Sequence, residues 1–284
     1  MAETPYRPTL RTVLCSVLLW GLVAACDSSP SSPEPPACAV PSAAPAGAEG
    51  PAGQAPGGGG LEVTDHGFSA TGGGDHLSLG GLVRNTSGSI AYRTTVVFRL
   101  ADVQGNDPVH EWSTRQLTIV VPVIRPGEEV AVASLVGLRL DVNPIDKPIK
   151  IAEFDIVLGP TRWLGAETAS AFPPFVAGPV TVDRDAPGSD EGTIRFSVTT
   201  ASCRELLPRG ASAVFFNRAG AVVGGALDPG NGTGSCAIPG YDARISERHQ
   251  IPAGIDVART RVTPYCDFTR RDVSGHPPSG APIN

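Results

Sequence analysis

Methionine is almost missing from this sequence. Met1 is the only one, so the chain cannot assemble a thioether site for a soft metal such as copper. Lysine is nearly as scarce, with Lys147 and Lys150 set against twenty arginines. The basic residues form no cluster, and the formal charge is −6. A phosphate-tracking face, and with it a nucleic-acid partner, is therefore not expected. No C-x-x-C occurs, which excludes the usual thiol oxidoreductase centre and a Cys-rich zinc site. The nucleophile and metalloprotease patterns G-x-S-x-G, S-x-x-K and H-E-x-x-H are also absent. "GNGTGSC" is glycine-rich but has neither a following Lys-Ser/Thr nor a strand-to-helix context, so it reads as a surface loop and not as a phosphate cradle. Nothing in these patterns calls for a cofactor or a catalytic residue.

The apolar run Val13–Ala25 covers 13 residues, fewer than the ~20 that a spanning helix needs. Arg7 and Arg11 precede it and small residues close it, the pattern of an export signal over residues 1–25. The closing "LVAAC" (Leu22, Val23, Ala24, Ala25, Cys26) resembles the lipobox of bacterial lipoproteins. That resemblance implies cleavage before Cys26, lipid on its sulfur and an extracytoplasmic protein held on the membrane. Each buried lipid CH₂ contributes roughly 0.8 kcal/mol, so two or three acyl chains suffice for stable anchoring. An ordinary signal peptide, or an uncleaved anchor in which Cys26 is incidental, is the alternative.

Residues 26–60 are nearly all Ser, Pro, Ala and Gly, with Val40 the sole branched aliphatic residue. Such a segment buries too little apolar surface to offset its ordering entropy, and it reads as a disordered tether. Beyond Leu61 the texture changes to short alternating runs broken by Gly, Pro, Asn and Asp. In "EGTIRFSVTT", Ile194, Phe196 and Val198 alternate with Arg195, Ser197 and Thr199. In "RTTVVFRL", Thr94, Val96, Phe98 and Leu100 alternate with Arg93, Thr95, Val97 and Arg99. This period of two predicts half-buried strands and an all-β fold. Residues 269–284 read as a disordered tail.

The chain also repeats itself. "GLVRNTS" (81–87) has a counterpart in "FSVTTAS" (196–202), and "FRLADVQG" (98–105) in "AVFFNRAG" (213–220). Val83 to Gly105 and Val198 to Gly220 each span 22 positions, and the two pairs share an offset of 115. "RPGEEVAVA" (125–133) matches "PAGIDVART" (252–260) only after the offset grows by 12, which places an inserted loop over Asp228–Gly240. Two copies of one β-sandwich are expected, over 61–164 and 176–268, joined near "GAETASAFPPF" (165–175). "KPIKIAEFDIVLG" (147–159) predicts a closing strand for the first copy, with no clear equivalent in the second. Asp102 and Asn217 then occupy the same place, three residues before Gly105 and Gly220, and read as turn residues. Glu128 and Glu129 read as a solvated strand edge after a Pro-Gly turn.

"GLVRNTS", "FRLADVQG" and "RPGEE" together resemble the FxLYD-type domain of bacterial extracytoplasmic proteins, an immunoglobulin-like sandwich. Phe98, Leu100 and Asp102 keep the pattern, with Ala101 in place of the Tyr. In the second copy Phe215, Phe216 and Asn217 stand at the Leu, Tyr and Asp places, and Ala213 replaces the leading Phe. The resemblance covers about 75 residues per copy. It implies tandem immunoglobulin-like sandwiches with a binding or scaffolding role, and carries no catalytic residues.

Of six cysteines, Cys15 lies in the export segment and Cys26 at the lipid site. Outside the cytoplasm the others are expected in disulfides. Any pair among Cys203, Cys236 and Cys266 is open, with an odd thiol left unless Cys38 takes part. Asp65-His66 and Asp75-His76 would form a metal site only if neighbouring strands brought them together. Otherwise they are solvated turn residues, and no metal is expected. The inserted loop, with Asn231, Thr233, Cys236 and Tyr241, is the candidate interaction surface. The expectation is a membrane-anchored, non-catalytic envelope protein that binds a protein, glycan or cell-wall component or acts as a spacer. The alternative is an accessory enzyme or small-ligand-binding protein whose site carries no recognisable motif.

Overall fold

The computed structural model describes residues 47–139, 150–202, 206–228, 236, 242–248 and 250–269. Their strands are β1 (Ala48–Pro51), β2 (Leu61–Thr71), β3 (His76–Asn85), β4 (Ile90–Asp102), β5 (Thr118–Ile124), β6 (Glu129–Gly137) and β7 (Ile151–Leu158). They continue as β8 (Pro160–Leu164), β9 (Phe175–Arg184), β10 (Gly192–Thr200), β11 (Leu207–Phe216), β12 (Val222–Asp228), β13 (Asp242–Glu247) and β14 (Arg261–Asp267). Every pairing between them is antiparallel. The all-β expectation therefore holds.

The strands form four sheets, and the pairing scheme of the first half recurs in the second. β3 pairs β2 and β6, just as β10 pairs β9 and β13. β4 pairs β5 and β7, just as β11 pairs β12 and β14. The first half adds β8 beside the start of β4 and β1 outside β8. Arg93, at φ 54°, interrupts β4 between its β8-paired and β7-paired portions, where the strand changes partner.

The repeat extends to the turns. Asp102 N–H donates to the Asn106 carbonyl at 3.0 Å, and Asn217 N–H donates to the Ala221 carbonyl at 3.0 Å. The side-chain oxygens of both residues accept from the amide four positions on, at 2.9 and 3.1 Å. Gly105 and Gly220 complete the turns with φ of 81° and 87°, the left-handed region that a residue with a Cβ enters at a penalty. The backbone N–H of Asn106 above all holds the Asp102 carboxyl below its ordinary value. Asp102 and Asn217 are turn residues, as their shared spacing predicts.

Burial patterns explain how the sheets stack. In β4 and β10 inward Val96, Phe98, Ile194 and Phe196 alternate with exposed Arg99, Arg195 and Ser197, as expected of strands wet on one side. In β3 and β11 nearly every residue is buried, so both faces are covered. The β2-β3-β6 sheet packs one face on the β4 sheet, around Phe98, Leu79 and Val132. Its other face meets the β12-β11-β14 sheet around Leu82, Ala131, Val214, Phe216 and Val222. The β12-β11-β14 sheet in turn packs on β9-β10-β13 around Phe215, Ile194 and Ile245. The result is four layers, with the two halves joined through their middle sheets.

Small residues make that middle contact. A Cβ on Gly80 would collide with the Gly224 carbonyl, one on Gly67 with the Val222 carbonyl, and one on Gly225 with Ala133 and the Leu79 carbonyl. Polar groups then bond across the gap. Ser78 Oγ donates to the Gly225 carbonyl at 2.7 Å and accepts from the Gly225 N–H at 2.9 Å. Ser69 Oγ donates to the Val223 carbonyl, and the buried Tyr265 hydroxyl to the Ala131 carbonyl at 2.7 Å. Glu129 is not the solvated edge expected of it. Its side chain is 13 % exposed and pairs with Arg84 at 3.1 Å within its own half and with Arg261 across to the other.

Three further expectations need correction. The tether cannot extend to residue 60, because β1 pairs with β8 from Ala48↔Trp163 to Pro51↔Pro160. Ala52 and Ala55 are also buried, and Leu61 N–H bonds the Ala52 carbonyl at 3.0 Å. Closing the β8 edge is what orders this segment. The second half does have a closing strand, β14, at the place that β7 holds in the first. "PAGIDVART" is not the counterpart of β6. That place belongs to β13, whereas 252–260 form turns and a short 3-10 helix, Val257–Arg259, capped by the Asp256 side chain. Residues 1–25, Cys26, Cys38 and 270–284 lie outside the described residues.

Candidate functional site

Of the sequence-predicted disulfide candidates Cys203 lies outside the described residues, as do Asn231, Thr233 and Tyr241 of the candidate interaction loop. Cys236 is joined to Cys266, with Cα atoms 5.6 Å apart. The bridge ties the connection between β12 and β13 to β14. Closing a loop with a sequence separation of 30 stabilises by about 3–4 kcal/mol in the chain-entropy picture. Both cysteines are buried, among Phe175, Phe268 and neighbouring core residues.

Beside the bridge, Arg125 stitches the halves together. Its Nε donates to the Phe172 carbonyl at 2.7 Å, its Nη2 to the Pro173 carbonyl at 2.5 Å, and its Nη1 to Glu128 at 3.1 Å. The guanidinium also lies 5.9 Å from the Phe268 ring centre. Burial lowers the Arg125 pKa from its very high ordinary value, while Glu128 opposes that shift. The cavity at this junction is about 20 Å³, room for one water. This chemistry fixes the linker and leaves no space for a ligand.

The histidines separate along the β2–β3 hairpin. His66 faces Gly81 and His76 faces Thr71, five positions apart in register, or roughly 17 Å at strand rise. His66 Nε2 lies 3.1 Å from the Phe154 carbonyl, and its ring packs edge-on to Phe154. The two Asp-His pairs therefore do not meet. Among the described residues no three His, Cys, Asp or Glu side chains gather with metal-binding geometry.

His76 belongs to another cluster. Its Nδ1 lies 2.6 Å from Asp75 Oδ1, and its ring centre is 6.2 Å from that of Trp112. His110 also stands 5.6 Å from Trp112, ring centre to ring centre. Trp112 is 58 % exposed. A Trp side chain carries on the order of 150–250 Å², so leaving more than half of it in water forgoes roughly 2–3 kcal/mol of burial. The 3-10 helix Glu111–Leu117 that carries it is nevertheless pinned to the end of β6. Buried Ser113 Oγ accepts from Gly137 N–H at 2.9 Å, and His110 N–H donates to the Gly137 carbonyl at 2.9 Å. The indole rests on Gly137, where a Cβ would collide with it.

Beyond Asp75 the tip of the hairpin, Gly72–Gly74, has no side chains and borders an open cleft of about 470 Å³. Thr71, Ser189 and Asp190 also line it, and the Asp190 carboxylate accepts from Gly72 N–H. Sequence reasoning singled out Asp75 and His76 but missed Trp112 and His110. The available signal was a lone tryptophan among polar residues in "HEWSTRQ", between two predicted strands. Comparison of the chain with family models, with curated proteins and with solved structures returns no match.

Proposed function

We propose that the chain is a lipid-anchored protein of the bacterial envelope, whose two immunoglobulin-like sandwiches act without catalysis, as a binding module or a spacer. The observation that carries this reading is "LVAAC", which puts a cysteine directly behind an arginine-led, 13-residue apolar run. Two further features support it. The Cys236–Cys266 bridge suits an oxidising compartment. The repeated strand pairing and the matched Asp102 and Asn217 turns fit two copies of one FxLYD-like unit, and sandwiches of that kind present ligands on surfaces and loops.

The test begins with Cys26→Ala in cells. The wild-type chain is expected in the membrane fraction, with a mass that includes diacylglycerol. The variant is expected to lose both, and unchanged partitioning and mass overturn the anchor. Crosslinking in intact cells, with and without the Asp228–Gly240 loop, then tests whether that loop recruits a partner. Equal capture by both forms removes the loop from the proposal.

A further inference from the structure

We infer that Trp112, with His76, His110 and Asp75 around it, is a binding platform for a polysaccharide whose pyranose rings carry equatorial hydroxyls. The inference rests on the envelope reading above and names the class of partner. Such a sugar ring has a flat C–H face and a polar rim. It needs an aromatic plane to lie on and hydrogen-bonding groups at the edge of that plane.

Trp112 supplies the plane, and the 3-10 helix is fixed to β6 through Ser113 and Gly137, so little ordering entropy is lost on binding. Two imidazoles, of His110 and His76, stand beside the indole, at 5.6 and 6.2 Å between ring centres. The Asp75 carboxylate, 43 % exposed, lies against His76 and is an acceptor for hydroxyls. At Gly73 and Gly74 an added Cβ would meet nothing within 4 Å, so a chain longer than one ring can cross the hairpin tip toward the Asp190 cleft without a clash.

A protein partner fits this face less well. Protein interfaces centre on a contiguous apolar patch. Here the described side chains grouped with Trp112, those of His76, His110 and Asp75, are polar. The other large exposed apolar side chains among the described residues, Val103 and Val176, belong to other segments of the chain.

The experiment uses the full chain in detergent, with cellohexaose and chitohexaose as probes and hexa-arginine as the competing class. Trp163 is buried, so acrylamide quenching of tryptophan fluorescence reports chiefly on Trp112 once the leader bearing Trp20 is removed. Trp112→Phe provides the baseline. Saturating sugar is expected to lower the quenching constant at least two-fold. Trp112→Ala is expected to weaken sugar binding at least ten-fold by calorimetry, and Asp75→Asn about three-fold. Trp112→Phe should retain part of the affinity with an unchanged melting temperature, which separates loss of the platform from loss of the fold. Absence of protection by either sugar at millimolar concentration, or undiminished binding by Trp112→Ala, overturns the inference. Protection by hexa-arginine alone also overturns it and assigns the face to a basic protein segment. Failure of Cys26→Ala to release the protein overturns the anchor alone, since sugar binding is read on purified protein.

Discussion

The two halves pair their strands in one scheme yet secure it with different chemistry. Between β5 and β6 the first half makes a four-residue turn, Arg125–Glu128, locked by an ion pair and by Arg125 on the linker carbonyls. The equivalent connection in the second half runs over 229–241 and is fastened by the Cys236–Cys266 bridge. The first half turns at Asp102, the second at Asn217. Pairing order follows from which strand faces are apolar, and several local fastenings satisfy the same order. The contact between the halves is less tolerant. A core of Phe98 and Leu79 accepts some reshaping, whereas Gly80 against Gly224 brings backbone onto backbone and has no slack.

Gly80→Val strikes that contact, and the largest loss is expected there. A side chain of three carbons must displace the Gly224 carbonyl, so stability falls by about 3 kcal/mol or more. Calorimetry should then resolve two transitions in place of one, because the cluster around Phe98 is drawn mostly from the first half and that around Phe215 mostly from the second. Joint replacement Cys236→Ala with Cys266→Ala comes next, with about 3–4 kcal/mol lost. Hydrogen exchange should place the loss in β11 to β14 and leave β2 to β6 protected. A loss spread evenly over both halves would show that the bridge stabilises the joined unit and not the second half locally. Tyr265→Phe removes the hydroxyl bonded to Ala131, and denaturant midpoints should report about 1–2 kcal/mol.

The smallest effect distinguishes the turns. The Asp102 carboxyl is held below its ordinary 3.8, chiefly by Asn106 N–H. A depressed folded value means that the contact contributes fully above 3.8 and is lost as pH falls through the lower folded value. Asn217 has no proton to gain. In an NMR titration from about pH 5 to pH 2, the Asn106 amide should move while the Ala221 amide stays in place.

Strands with strict alternation were legible in the sequence, as Ile194, Phe196 and Val198 illustrate. The shared Asp102 and Asn217 spacing located the repeat. β13 was not legible, because "DARISE" offers only Ala243 and Ile245 to the core, and the more regular "PAGIDVART" drew the alignment away. β14 was hidden by Pro264, which lacks the N–H that a central strand needs and here lies on the strand flanking β11. The contact between the halves left a trace in "LSLGGLV", where glycines interrupt an apolar run. In sequence alone that reads as two weak points in a strand, and their use appears only in the fold, where Gly80 meets Gly224 and Gly81 lies against Ile156 of β7. Trp112 was missed because a single aromatic residue in a connecting segment has no period.

β1 also determines where force would enter the molecule. Under the proposed anchoring, a pull between membrane and folded body reaches the four pairs of β1 with β8 before any other strand. Those pairs give way first. Their release, followed by that of buried Ala52 and Ala55, frees residues 47–60, which at roughly 3.3–3.6 Å per residue span about 45–50 Å when extended. It also uncovers the edge of β8, a row of unpaired backbone groups open to another strand. Tension would thus be converted into both slack and a newly exposed docking edge.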